Sequence, residues 1–464
     1  MAPQYRRAVF IFRRDLRLVD NTGLNLARTS AASVLPLFVF DPRQINHAYF
    51  SKPGFSFLKQ SVKELDTALK LQNGALLLCS GTPDKVLKTI YHKSAFDLVV
   101  FNTDYTPFSK SRDEAITTTC KELGVECIAV HDALLHPPGT VLSTTGKPYT
   151  IFTPFWKKAA TFPVNKPSAL APGSWALLKE VEQLKLPFRE QQEEKQKQQA
   201  QQGGREEGVR ILTQAKRCKD YKTMRDIPSV NGTSQLSAHL KFGTISVRET
   251  YHTLRSTLGD THPLLRQLYW RDFFTHIAYF FPHVFGHSFH KVYDAIVWSN
   301  DERANAAFAR WCNGTTGFPI VDAGLRELNA TGLMHNRVRM ITASFLVKDL
   351  HIDWRKGEQY FAQHLLDYDP CVNNGNWQWC ASTGCDAQPY FRIFNPWLQQ
   401  QRFDPDCQYI KKWVPELAQL TPKAIHQLFL QQPLDLGSYP KPIVEHKEAA
   451  SHAKALFAAI AQKQ

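Results

Sequence analysis

The chain has 464 residues, 43% of them apolar and 21% charged, which is enough to fill two packed domains and excludes a disordered or fibrous protein. Its 56 Lys and Arg against 42 Asp and Glu leave 14 excess positive charges, which suits a polyanionic partner, nucleic acid first, and argues against a basic one. Nine cysteines form no CxxC pair, so neither a metal centre nor a disulfide framework is expected. No apolar run has the length of a bilayer span, and the apolar RAVFIF follows the N-terminus too closely for a secretory signal. The expectation is a soluble, reduced, intracellular protein.

In chain order, the apolar runs AVFIF (8–12), SVLPLFVF (33–40), GALLLCSG (74–81), DLVVFN (97–102) and CIAVHD (127–132) alternate with amphipathic stretches such as FLKQSVKELDTALKLQ (57–72). Strands covered on both faces require such continuous runs, so residues 1–132 are predicted to form a doubly wound, Rossmann-like parallel α/β domain. The first strand leads into FRRDLRLVDN with no G-x-G-x-x-G, which argues against an ordinary dinucleotide site there. Residues 133–205, rich in Pro, Thr and Lys and ending in EQQEEKQKQQAQQGG, have little to bury and are expected to be a solvated interdomain linker. Helical periodicity then dominates 206–464, which is predicted to be an all-α domain that holds the chemistry.

Within that domain Trp270, Phe274 and Ile277 fall on one helical face, with Gln267 and Arg271 on another; Asn336 and Met340, four apart, share a face. Each pattern alone describes a core helix with a solvated edge. Taken together, GTSQLS (Gly232–Ser237), WRDF (Trp270–Phe273), TGFPIVDAGLRELNATGLMHNRVRM (Thr316–Met340) and DYDPCVNNGNWQWCASTG (367–384) resemble the photolyase/cryptochrome flavoprotein family. The likeness runs from FRRDLRLVDN to IVEHKEA and is nearest to class I enzymes that repair cyclobutane pyrimidine dimers.

The resemblance implies an α/β antenna domain and a helical domain that holds FAD folded back on itself. Tyr221, Thr233, Ser234, Gln235, Leu236 and Ser237 would meet the phosphate end of that cofactor, where small hydroxyl residues and backbone N–H groups at a helix start suit a pyrophosphate. Arg339 would pair with Asp367, Asp369 would meet the ribityl chain or ring edge, and the Asn373 amide oxygen would accept from N5 of a reduced flavin. Gln267 and Asn336 would face both cofactor and lesion. Trp377, Trp354 and Trp298 match an electron relay, and Trp379 would pack beside the flavin.

Trp270 and Met340 would line the pocket for a flipped-out dimer, and Arg225, Arg271, Arg337, Arg392 and Gln399 would meet DNA around the lesion. Asn336 and Met340 stand where (6-4) photolyases carry histidines, and neither can donate the proton that lesion needs. Three departures stand out. Gln267 replaces the usual glutamate; Leu264 and Leu333 replace cavity tryptophans of some members; Phe108 and Ser109 replace the Asn and Glu that hold a folate antenna. A second chromophore, of folate or deazaflavin type, is therefore left open. The expected function is light-driven repair of UV-damaged DNA by a cytoplasmic monomer, nuclear in a eukaryote. The rivals are a (6-4) photolyase, which Gln267 favours, and a cryptochrome receptor, against which stand Asn373 and the lack of a tail beyond AAIAQKQ.

Overall fold

The apolar runs of the N-terminal third become parallel strands, β1 (Tyr5–Phe12), β2 (Ala31–Phe40), β3 (Leu77–Ser80), β4 (Leu98–Asn102) and β5 (Glu126–Val130), in a computed structural model that describes residues 3–176, 201–429 and 439–461. Their order is β3-β2-β1-β4-β5, with every pair parallel and β1 opposite Ala31–Phe38 on one side and Leu98–Phe101 on the other. Helices α1 (Thr22–Ser30), α2 (Lys52–Lys70), α3 (Pro83–Lys93) and α4 (Pro107–Glu122) supply the crossovers. Val9, Ile11, Leu35, Leu37, Val99 and Phe101 are buried with Leu87, Ile90 and Ile116 of the helices, which is why these strands carry no polar alternation.

The turn after β1 is filled by charge. Arg17, Asp20, Asp132 and Arg248 are all buried and mutually paired: Arg248 donates to Asp20 at 3.1 Å and to Asp132 at 2.7 Å, and Arg17 pairs with Asp132. Asn21 caps α1 by accepting from Leu24 N–H at 3.1 Å. FRRDLRLVDN thus occupies the place where a glycine-rich turn would admit a pyrophosphate.

The expected linker is partly built. Helix α5 (Phe152–Ala159) buries Phe152, Phe155 and Ala159, and a two-residue strand β6 (Ser174–Trp175) adds to β2 beside Ser33 and Val34. Trp175 is buried under the Arg28 guanidinium, 4.1 Å from its ring centre. With Leu134, Leu135 and Val141 also buried, a minority of apolar side chains anchors a segment whose average composition reads as solvated. The polar tract lies outside the described residues up to position 200. Past it, Gly203 and Gly204 N–H groups donate to Gln60 and Ser61 of α2.

By internal packing the chain forms two compact units. The first takes in the sheet and also residues 201–219 and 234–282, with the short helix α6 (Ser237–Phe242) and the long α7 (Pro263–Phe280). The physical reason is the buried ion network, in which Arg248 binds the β1 and β5 loops, together with Leu16 N–H donating to Phe242 O. The second unit, 220–233 and 283–464, has only helices for regular elements among its described residues. It includes α8 (Pro319–Thr331), α9 (Asn336–Ser344), a π-helical turn over Phe345–Asp349, α10 (Trp354–His364), α11 (Pro370–Ala381) and α12 (His446–Ala461). Its core is built on Trp311, Phe345, Trp354 and Trp377. Among the described residues no helix is long and apolar enough to cross a membrane, and no cluster could hold a metal ion.

Candidate cofactor and DNA-binding residues

GTSQLS, whose Gly232 and Thr233 belong to the second unit and whose Ser234–Ser237 belong to the first, does not open a helix at its start. Helix α6 begins only at Ser237; Gln235 before it adopts φ 57°, in the left-handed region, with its carbonyl held by Gln201 Nε2 at 2.7 Å, and Arg217 holds the Ser234 carbonyl at 3.0 Å. Leu236 is the N-cap and offers no side-chain acceptor, so the first N–H groups of α6 are left for another acceptor. On α7, Gln267 is half-buried and the Trp270 indole stacks on Phe152, with ring centres 3.6 Å apart and planes at 8°. Arg271 donates to the carbonyls of Ala133 and Leu240.

Next to Arg271, the fully buried Asp272 accepts from His136 N–H at 3.1 Å while its other oxygen has no partner. Burial pushes this carboxyl up to about 7, against the pull of Arg271 and the backbone N–H groups. A folded-state pKa above the unfolded 3.8 means the native protein binds the extra proton between about pH 4 and 7, so this group's contribution to stability is complete below pH 4 and is lost as pH rises toward 7. In Asp272→Asn, whose amide imitates the protonated acid, the melting temperature should fall less over that interval than in the unsubstituted protein. Parallel melting curves for the two proteins would reject this origin of the pH dependence.

In the second unit Asn336 opens α9, exposed, with its Nδ2 3.8 Å from Met340 Sδ. Arg339 places one guanidinium nitrogen 3.0–3.1 Å from both Asp367 oxygens and another 2.8 Å from the Met334 carbonyl. Asp369 caps α11, accepting from Cys371 and Val372 N–H groups at 3.0 and 3.2 Å. Asn373 is buried, and its Nδ2 is spent on the Glu358 carbonyl at 3.1 Å, which leaves the oxygen as the free end of the amide. Its neighbour Asn374 points elsewhere: it donates to Val284 O at 2.9 Å and Glu358 Oε1 at 3.0 Å, and accepts from Gln378, four residues on, at 3.1 Å. The paired amides of NNGNWQW thus split between two faces of α11, one carrying Asn373 and Trp377 and the other Asn374 and Gln378.

The DNA photolyase family model matches residues 8–171, and the model described as the FAD binding domain of DNA photolyase matches 264–459. A deoxyribodipyrimidine photo-lyase from Synechococcus is 36% identical, with 98% of each chain covered. The chain belongs to the DNA photolyase family. Two solved photolyases have the same fold: an archaeal one from Sulfolobus tokodaii, crystallised with two FAD molecules, is 41% identical with TM-score 0.84, covering 98% of this chain and 100% of its own. A bacterial class III photolyase from Agrobacterium tumefaciens is 33% identical with TM-score 0.88, covering 100% and 99%.

The side chains of this photolyase-family chain fit a flavin. In the second unit, an amide oxygen on Asn373 and a guanidinium fixed by Asp367 are an acceptor and a cation such a cofactor would need; in the first, the uncapped helix start at Ser237 offers N–H donors of the kind a pyrophosphate accepts from. Tyr221 is buried, Thr233 half-buried and Ser237 exposed. Of the three tryptophans expected to form a relay, Trp354 and Trp377 are buried, with neither indole N–H hydrogen-bonded, and Trp298 is half-buried. Trp379 is partly buried against the same core.

The arginines divide. Arg337 is paired with Asp226 at 2.8 Å and lies over Phe403, and Arg271 is held by backbone carbonyls, so the guanidinium groups of both are largely committed to the protein. Arg225 and Arg392 are exposed, and the half-buried Gln399 has an oxygen with no partner. Sequence reasoning missed Glu358, Asn374 and Gln378. The i,i+4 spacing of the last two was visible; Glu358, on α10, carried no local signal.

Proposed function

We propose that the protein splits cyclobutane pyrimidine dimers in UV-damaged DNA under near-UV or blue light, as the printed name of its deoxyribodipyrimidine photo-lyase relatives describes for them. The observation that carries the choice of lesion is the Asn336–Met340 contact on the exposed first turn of α9, a pair with an amide and a thioether where proton donation would require imidazole. When bound, reduced FAD supplies on excitation the electron that opens the cyclobutane ring, and takes it back afterwards. Asn373, its Nδ2 held by the Glu358 carbonyl, would offer its oxygen to a protonated ring nitrogen, and Arg339 is kept in place by Asp367 and the Met334 carbonyl. Trp270, rigid against Phe152, offers a flat apolar surface for an extruded base. Gln267 can donate to a thymine carbonyl but cannot protonate it. Arg225 and Arg392 meet phosphates, which bind without reading sequence, and Gln399 joins them.

Trp377, Trp354 and Trp298 return electrons to an oxidised cofactor. A light-harvesting chromophore is assigned to the carboxyl edge of the sheet, where strand order reverses between β1 and β4. Nearby, Arg43 and Arg112 lie 5.2 and 5.9 Å from the Phe108 ring centre, cations that suit a flat anionic chromophore of folate or deazaflavin type. The enzyme acts as a monomer, and nine cysteines with no CxxC pair favour a reducing compartment.

Oligonucleotides carrying each lesion, illuminated with reduced enzyme, test the reading. The dimer should revert to intact pyrimidines and the (6-4) product should persist; the reverse result would make Gln267 the better guide, and repair of neither would favour a receptor. Trp298→Phe should slow photoreduction of oxidised FAD and leave repair from reduced FAD intact.

A further inference from the structure

The second unit buries a cation that none of these roles uses. Lys348 sits in the π-helical turn Phe345–Asp349 with its side chain fully buried. Among the described residues its ammonium has one hydrogen-bond acceptor, the Ala381 carbonyl at 3.4 Å, and no carboxylate: Asp349, next in sequence, is spent on His446. An unpaired ammonium in a core is costly, and a methionine would fill the same space. What offsets the cost is aromatic and dipolar. Nζ lies 3.4 Å from the centre of the Phe457 ring, and Ala381 is the last residue of α11, at its electronegative end.

Phe457 is shared. Its ring centre is 6.2 Å from that of Trp298, 6.2 Å from Tyr390, whose plane is nearly parallel, and 5.8 Å from Tyr293. The buried charge is therefore one ring removed from the outer tryptophan of the relay, and it sits at the end of the helix that carries the inner one, Trp377.

We propose that Lys348 tunes the tryptophan relay electrostatically, its charge opposing the electron deficit on Trp298 and so shortening the life of that radical. The proposal rests on the relay reading above. In that reading Trp377 gives one electron to an excited oxidised flavin, Trp354 refills Trp377, and Trp298 refills Trp354. The flavin has then gained one electron and Trp298 has lost one, which an external thiol reductant restores. Lys348 exchanges no electron; it sets the electrostatic cost of leaving a positive charge on Trp298 in a medium of low dielectric.

The groups around Lys348 leave it able to change charge near neutrality. Burial brings the ammonium down to about 7, with Cys380 pulling the other way. On α11 burial pushes the Cys380 thiol up to about 12, and around Phe457 it raises Tyr293, so both stay neutral. Burial takes Asp349 up to about 6 against its His446 partner on α12, and lowers His351, whose ring meets His452 of α12 at 4.5 Å. The remaining charged residues at the start of α12, Glu445 just before it and Lys447 and Glu448 in its first turn, are exposed.

Flash photolysis of the FAD-loaded protein between pH 6 and 8.5, following the tryptophan radical and the rate of flavin reduction, tests the idea in Lys348→Met, Lys348→Arg and Trp298→Phe. In the unsubstituted protein the radical should live several-fold longer as pH rises through about 7. Lys348→Met should show the long lifetime at every pH, and Lys348→Arg the short one. Melting curves add a readout that needs no light: Lys348→Met should be more stable than the unsubstituted protein by a margin that is full below about pH 7 and shrinks as pH rises toward 10.5, and Lys348→Gln serves should the methionine variant not fold. If Trp298→Phe slows photoreduction while Lys348→Met keeps the parent lifetime and pH profile, the relay stands and Lys348 has no part in it. If Trp298→Phe leaves photoreduction unaltered, the relay reading fails and takes this proposal with it.

Discussion

Arg248→Ala is expected to lose about 3–5 kcal/mol of folding stability, because it leaves two buried carboxylates with half their partners. Asp20 and Asp132 are each about 2–3% exposed and sit on different loops, after β1 and after β5. Arg248 reaches both, at 3.1 and 2.7 Å, and donates further to the carbonyl oxygens of Asp20 and Asp132 at 2.9 and 3.1 Å. Burial alone would push the Asp132 carboxyl up; Arg17 and Arg248 more than reverse it and hold it well below the ordinary carboxylate range. With Arg248 gone, Arg17 faces Asp132 alone and Asp20 keeps only hydroxyl and backbone donors such as Ser246. Urea titration followed by far-UV circular dichroism measures the loss. Arg248→Lys should recover part of it, since one ammonium cannot span both carboxylates as a guanidinium fork does. A loss below about 1 kcal/mol would mean the network is solvated and worth no more than a surface pair.

The same network shows what the sequence disclosed and what it concealed. The central strands were legible because a strand covered on both faces must be apolar at every position, as Val9 to Phe12 are, and the edge strand β5, although partly exposed, keeps the apolar run Cys127–Val130. FRRDLRLVDN could be read as lacking a nucleotide turn, but not as half of an ion network, since Asp132 and Arg248 lie over a hundred residues away. Composition hid β6 for a similar reason: a two-residue strand held by Trp175 leaves no periodicity to find. In the candidate site, charge and aromatic content marked the region, and family likeness gave roles to single residues. Neither could separate Arg225 from Arg337, because the Asp226 and Phe403 that occupy Arg337 are brought to it only by folding. Asn373 and Asn374 are adjacent and chemically identical, and Glu358 accepts from the Nδ2 of each; only the Gln378 amide, which donates to Asn374 Oδ1, decides which oxygen remains free.

That division of labour on α11 depends on how closely α10 approaches it, and the approach is set by one glycine. A Cβ built on Gly357 would lie 2.2 Å from Trp377 Cη2, 2.6 Å from its Cζ3 and 2.5 Å from Leu346 Cδ2. The Trp377 ring has little room to retreat, being buried with Phe361 at 4.9 Å and Trp311 at 6.3 Å between ring centres. Gly357→Ala gains about 1 kcal/mol in helix propensity, yet overpacking of a filled core costs typically about 1–3 kcal/mol and is expected to exceed that gain here. The larger consequence is functional: a displaced Trp377 carries Asn373, one turn earlier on the same helix, out of position. Photoreduction should slow by an order of magnitude or more, with reduced FAD retention and a changed near-ultraviolet circular dichroism spectrum. Trp377→Phe removes the atoms that collide, so the double variant should be less destabilised than the two single losses added together. Strict additivity would mean that Gly357 and Trp377 do not share the space, and that the helix spacing is set by other contacts.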